Sequence, residues 1–315
     1  MNAEIGVTSS QESHDRWLDK SVFGWWPALT IEKLLIVLII AITLLTRFYD
    51  LGARTMSHDE VNHVVPSYTI ETYVYDPVTH GPFQFHALAF SYFLFGDSDF
   101  SARVPAAIFG VAVVAFTLFA WKRYLSRVGA LIAGFLFMIS PYILFYSRYT
   151  RNEIFIVFWG LVMLWLFLRY LESGEKKFLL WLTLIIAMHY ADKATSYIFT
   201  AEALIFLAVL FILEALHKPW SENRTRRNFL ISLLVMLLAV LGLGGFYLLS
   251  ANGLAGIPMP ALLILGAVLI AGLVLMFLNL IRGLGWGQIR LMRSFDLVVL
   301  QLLLVLPLLT ALPVR

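Results

Sequence analysis

The chain has 315 residues, 60% of them hydrophobic and 14% charged, with a mean hydropathy of +0.83. Soluble domains carry roughly 45–50% apolar and about 25% charged residues, so a water-soluble fold is excluded and lipid is the expected solvent. The net charge of +3 is spread over short segments between apolar runs, which argues against a nucleic-acid surface, and the absence of cysteine rules out disulfides and thiolate metal sites.

Residues 1–30 are polar and mixed in charge, without an apolar core followed by a small-residue cleavage site. No cleavable signal peptide is expected, and the first span then acts as an uncleaved anchor. Trp17, Leu18, Val22, Phe23, Trp25 and Trp26 sit among charges there and read as an interfacial segment. Crossing a bilayer takes about 20 mainly apolar residues. Candidate spans are Ile31–Phe48, Val104–Trp121, Val128–Phe145, Ile154–Leu168, Phe178–His189, Ile198–Leu213, Phe229–Leu249, Ala261–Ile281 and Leu297–Leu312, the fifth being short. The expected fold is an all-α polytopic transmembrane bundle. Residues 1–30 form a cytoplasmic or interfacial segment, and 31–315 a membrane domain of about nine spans.

Lysine and arginine set the expected orientation. They are rich after the second, fourth, sixth and eighth spans (Lys122, Arg123, Arg127; Arg169, Lys176, Lys177; Lys218, Arg224, Arg226, Arg227; Arg282, Arg290, Arg293) and sparse in the alternate loops. The N-terminus is then cytoplasmic, and the loop 49–103 and Arg315 lie outside.

That first outer loop is too long for a mere connection. Ser57–Tyr73 reads as one short helix with a stripe of Val61, Val64, Val65, Tyr68 and Thr69. Pro77 and Gly81-Pro82 break it, and a second amphipathic stretch, Phe83–Phe95, ends at Gly96-Asp97. The acidic pair Asp59-Glu60 opens the first helix. Adjacent helical side chains diverge by about 100°, so both carboxylates cannot aim at one point. They can act chemically, or Ser57 or Asp59 can cap the helix while the acids complement its dipole. His58 and His63 do not have the H-E-x-x-H spacing of a zinc protease.

The second outer loop, Ser147–Glu153, carries Arg148 and Arg151 within one turn. They suit bidentate contacts to phosphate or snorkelling to headgroups. The third holds Asp192-Lys193, functional or simply paired. Acids and cations facing one lipid–water boundary suit a phosphate-linked lipid substrate. Cations would hold the phosphate, and a carboxylate would take a proton or hold a divalent cation.

The ordered set His58-Asp59-Glu60, Tyr75-Asp76-Pro77, His80-Gly81-Pro82, Leu94-Phe95-Gly96, Ser101-Ala102-Arg103-Val104-Pro105-Ala106-Ala107 and Tyr146–Glu153 resembles the GT-C membrane glycosyltransferases. Within them it is most similar to the protein-mannosyltransferase and lipid A aminoarabinose-transferase type. Closer still is a prokaryotic mannosyltransferase-like group linked to lipid-linked sugar flipping. The resemblance covers about residues 30–215. It implies transfer of a sugar from a polyprenyl-phosphate donor to a protein, lipid or glycan acceptor on the extracytoplasmic face of the plasma membrane. By it, Asp59 is the general base, with Glu60 its neighbour in the motif. Glu153 is an acceptor or metal ligand, with Mg or Mn as the implied cation, and Arg148, Arg151 and Lys193 contact the donor phosphate. His80 stands where many members have His-Pro-Pro but here begins His-Gly-Pro, which leaves its role open. Members usually continue beyond a point equivalent to Arg315, so a C-terminally shortened chain is expected.

The alternatives are a flippase or transporter of lipid-linked sugars, turning on Glu202 in the sixth span, and a non-catalytic accessory membrane protein.

Overall fold

The computed structural model describes residues 16–74, 80–252 and 259–311. The Tyr75-Asp76-Pro77 motif, Pro77 as a chain break, residues 1–15, most of the Ser250–Pro260 loop and Arg315 lie outside the described residues.

The described chain is almost wholly helical. A short hairpin, β1 (Ser21–Phe23) and β2 (Trp26–Thr30), precedes helices α1 (Ile31–Phe48), α2 (His58–Tyr68), α3 (Pro82–Phe95), α4 (Asp99–Ala120) and α5 (Lys122–Ile139). Then come α6 (Pro141–Tyr146), α7 (Glu153–Ser173), α8 (Lys176–Tyr190), α9 (Ser196–His217), α10 (Asn223–Ala251), α11 (Met259–Leu284), α12 (Trp286–Ile289) and α13 (Arg293–Ala311). Among the described residues, α4, α7, α9, α10 and α11 are long and apolar enough to cross a membrane. The chain is a multi-pass membrane protein.

Two compact units, Met1–Thr200 and Ala201–Arg315, divide within α9. In the first, α4 packs against α1, α5 and α7, and α7 against α8. Ile39, Val114, Leu118, Leu131 and Met138 fill one core, while Ala106, Val113, Ile143, Phe155 and Trp159 fill another. At one end of this bundle Arg127 clamps Asp19 and Glu32, and Arg123 binds Glu172. At the other end two arginines close helix C-termini in trans. Arg47, fully buried in α1, donates to the Met138 and Phe137 carbonyls of α5. Arg148 donates to the Thr46 and Tyr49 carbonyls at the end of α1, at 2.7 and 2.8 Å. Each cation meets carbonyls that have no partner within their own helix. In the second unit Ala215, Phe229, Leu280, Ile289 and Met292 form the core.

Two elements differ from the sequence expectation. The third span, Val128–Phe145, is broken at Ser140 into α5 and α6. Pro141 cannot donate to the helical ladder and disfavours helical backbone at the residue before it, and Ser140 Oγ instead caps α6 by accepting from Ile143 N. The helix expected over Ser57–Tyr73 ends at Tyr68 and continues as a 3-10 turn, Ile70–Thr72. Pro66 removes one N–H from its ladder near that end.

Candidate active site

Glu60 sits at the centre of the loop end of the bundle and is completely buried. Arg103 Nε donates to its Oε1 at 2.8 Å and Arg103 Nη2 to its Oε2 at 3.1 Å. Arg54 and the backbone N–H groups of Ser57 and Thr150 also donate to it. Ser57 caps α2 and forms a reciprocal capping box with Glu60. Burial opposes ionisation of Glu60, but the donors from Arg103, Ser57 and Thr150 outweigh it and hold the carboxyl below its ordinary range. Arg103 in turn donates to the Leu51 and Arg54 carbonyls. One carboxylate thus ties α2, the start of α4 and the α6–α7 loop together.

Asp59 faces the other way, and its side chain is 53% exposed. Arg151 Nη1 donates to its Oδ2 at 2.9 Å, and Arg151 Nε lies 3.4 Å from Glu153 Oε2. Lys193 Nζ donates to Glu153 Oε1 at 2.8 Å. The order Asp59–Arg151–Glu153–Lys193 is an alternating row of charges, drawn from the start of α2, the α6–α7 loop, the start of α7 and the α8–α9 loop. Lys193 therefore pairs with Glu153 and not with its neighbour Asp192.

Gly81 explains how the last of these loops is held. Gly81 N donates to the Asp192 carbonyl and Phe83 N to the Ala191 carbonyl, both at 2.8 Å, and His80 and Lys193 form an antiparallel bridge. A Cβ at position 81 would collide with the Ala191 carbonyl. The His-Gly-Pro departure from His-Pro-Pro is thus tied to this contact, since proline would lose the N–H and could not fit. His80 stacks edge-on against His63 with ring centroids 4.4 Å apart. Burial, with His80 and Arg151 nearby, pushes His63 down to about 4, and burial with Lys193 and Arg151 lowers His80. These surroundings favour the neutral form of both rings.

The structure thus brings Asp59, Arg151, Glu153, Lys193 and His80 into one region. Glu60 points into the protein, and Arg148 points to α1, beside an apolar groove lined by Leu45, Tyr49 and Leu144. Glu202 is exposed on α9. Arg103, Asn152 and His63 carry much of the geometry without having been assigned roles from the sequence. Arg103 was legible in one respect, as a charge set inside an apolar helix. Among the described residues no three His, Asp or Glu side chains converge as a metal site would require. Glu153 already faces two cations, a donor set that does not suit Mg or Mn.

Residues 79–244, more than half of the chain, match the dolichyl-phosphate-mannose-protein mannosyltransferase family. The chain belongs to this family. No curated protein matches it. Membership makes it a membrane glycosyltransferase of the mannosyltransferase type, drawing on a polyprenyl-phosphate-linked sugar. The matched mannosyltransferase region begins just before His80 and takes in the whole α6–α7 loop, Glu153 and Lys193, while Asp59 and Glu60 precede it.

Proposed function

We propose that this mannosyltransferase-family member transfers a sugar from a polyprenyl-phosphate donor to an acceptor hydroxyl on the extracytoplasmic face, with Asp59 as the base. The observation that carries this reading is the row Asp59–Arg151–Glu153–Lys193, in which each cation is paired with a carboxylate whose place phosphate oxygens of the donor would take. Arg151 presents a planar fork suited to bidentate phosphate contact, and Lys193 a mobile point charge. Arg148 stands at the apolar groove lined by Leu45, Tyr49 and Leu144, where the isoprenoid chain would lie.

The acceptor oxygen attacks the anomeric carbon as the bond from that carbon to the phosphate oxygen breaks. The electron pair leaves with the polyprenyl phosphate, whose growing charge is met by Arg151 and Lys193. The acceptor proton passes to Asp59, exposed enough to reach a bound hydroxyl. Glu153 holds Lys193 in place and orients the acceptor.

The test is transfer of labelled sugar from a polyprenyl-phosphate donor in reconstituted liposomes. Asp59→Asn is expected to lose about 100-fold or more in rate with an unchanged melting temperature. Wild-type transfer by Asp59→Asn would remove Asp59 from the mechanism. Flipping of a fluorescent lipid-linked sugar that survives Asp59→Asn and fails in Glu202→Gln would favour transport instead.

A further inference from the structure

The α8–α9 loop holds a carboxyl group that the transfer chemistry does not use. Asp192 is fully buried. Its Oδ1 accepts from Asn152 Nδ2 at 2.7 Å, and the same nitrogen donates its other proton to the Asp192 carbonyl at 2.9 Å. Asp192 Oδ2 has no hydrogen-bond partner, and neither does Asn152 Oδ1. Both orphaned atoms are acceptors, and both belong to a pair of side chains already bonded to each other. An ionised carboxylate with a buried, unpartnered oxygen is costly. The one nearby cation on the loop, Lys193, is spent on Glu153.

We infer that Asp192 is kept as the neutral acid, its proton on Oδ2 shared with Asn152 Oδ1, and that this acid–amide pair is the positioning device that holds Lys193 against Glu153. A single proton gives both orphaned oxygens a partner. Three titratable groups face the pair. Glu153 follows Asn152 at the start of α7, and Lys193 follows Asp192. His80 comes from the segment bridged to Lys193, while His189, in the last turn of α8, packs its ring against Phe199. Burial raises the Asp192 carboxyl well above its ordinary range and Glu153 adds to this, while Asn152 and Lys193 act the other way. His80 lies against Asn152 as well, but an imidazole N–H there would leave Asp192 Oδ2 without a partner. Neutrality has a functional consequence. An ionised Asp192 would compete with Glu153 for Lys193 and draw it away from the row of charges. That consequence rests on the transferase reading, whereas the protonation does not.

The experiment has a spectral and a functional arm, each on the full-length protein. Infrared spectra at neutral pH are expected to contain a protonated-carboxyl C=O stretch that disappears in Asp192→Asn, and its absence from the wild type overturns the inference. Asp192→Asn, which can pair amide to amide with Asn152, is expected to keep the wild-type melting temperature, while Asp192→Ala lowers it. An equal loss in both variants means that a charge is required and overturns the inference. In liposomes, Asp192→Ala is expected to raise KM for the polyprenyl-phosphate donor several-fold, with Asn at the same position restoring it. An unchanged KM alongside an intact spectral signature overturns the positioning role alone. Loss of the transferase reading would appear separately, as wild-type transfer by Asp59→Asn.

Discussion

Glu60 and Asp59 are adjacent in the chain and opposite in environment, and this separates what their substitution should do. Glu60 is buried against Arg103, itself 1% exposed. Removing one partner of a buried ion pair leaves the other charge uncompensated, at a cost of about 3–5 kcal/mol. Glu60→Gln is therefore expected to lower the melting temperature in detergent sharply, and inactivity in that variant would report folding. Retention of wild-type stability would mean that the Glu60–Arg103 pair does not hold the loops. The pH dependence follows from the same contacts. Because the carboxyl of Glu60 is held below its ordinary range in the folded protein, its contribution is present above that range and lost as pH falls through the folded value. Thermal melts at decreasing pH should show this loss in the wild type and not in Glu60→Gln. Asp59 is 53% exposed and Arg151 28%, and a pair partly open to solvent in this way contributes about 1 kcal/mol, so Asp59→Asn probes chemistry with little effect on the fold.

At the scale of elements, the site is assembled by backbone contacts between segments that form no regular sheet. The segment before α3 lies along the α8–α9 loop through the Gly81 and Phe83 N–H groups. Gly81→Ala would drive a methyl group into the Ala191 carbonyl. Overpacking of this kind costs about 1–3 kcal/mol, and here it would also displace Lys193 from Glu153. The expected outcome is a lowered melting temperature together with slower sugar transfer, and an Ala variant unchanged in both would show that the close approach is dispensable. The helix ends follow the same logic. Arg47 and Arg148 each bind carbonyls at the end of a helix other than their own segment, so Arg148, which reads in sequence as a phosphate or headgroup ligand, also acts as a fastener.

At the scale of the molecule, the charge asymmetry of the loops predicts on which side this site lies. The chain has no cysteine, so single cysteines can be introduced and labelled without background. Thr72→Cys, in the loop that carries Asp59, is expected to react with a membrane-impermeant maleimide in intact cells. Lys177→Cys, at the opposite end of α8, should react only after permeabilisation. The reverse pattern would place the row of charges in the cytoplasm and exclude an extracytoplasmic transfer.

The sequence by itself determined the helical, membrane-spanning class, because the length and apolar content of a segment decide whether it can cross lipid, and both are local quantities. It also located α1 at Ile31–Phe48 to the residue and marked the short helices around the acidic pair. It drew the charged residues to three loops without saying how they pair. Only the tertiary structure decided that Glu60 turns inward while Asp59 faces Arg151, that Lys193 binds Glu153, and that Arg148 closes α1. The physical reason is distance along the chain. Arg103 lies 43 residues from Glu60, and Arg151 lies 92 from Asp59. Which donor meets which acid is fixed by the packing of α4 and α7, and that packing has no signature in the residues around either carboxylate.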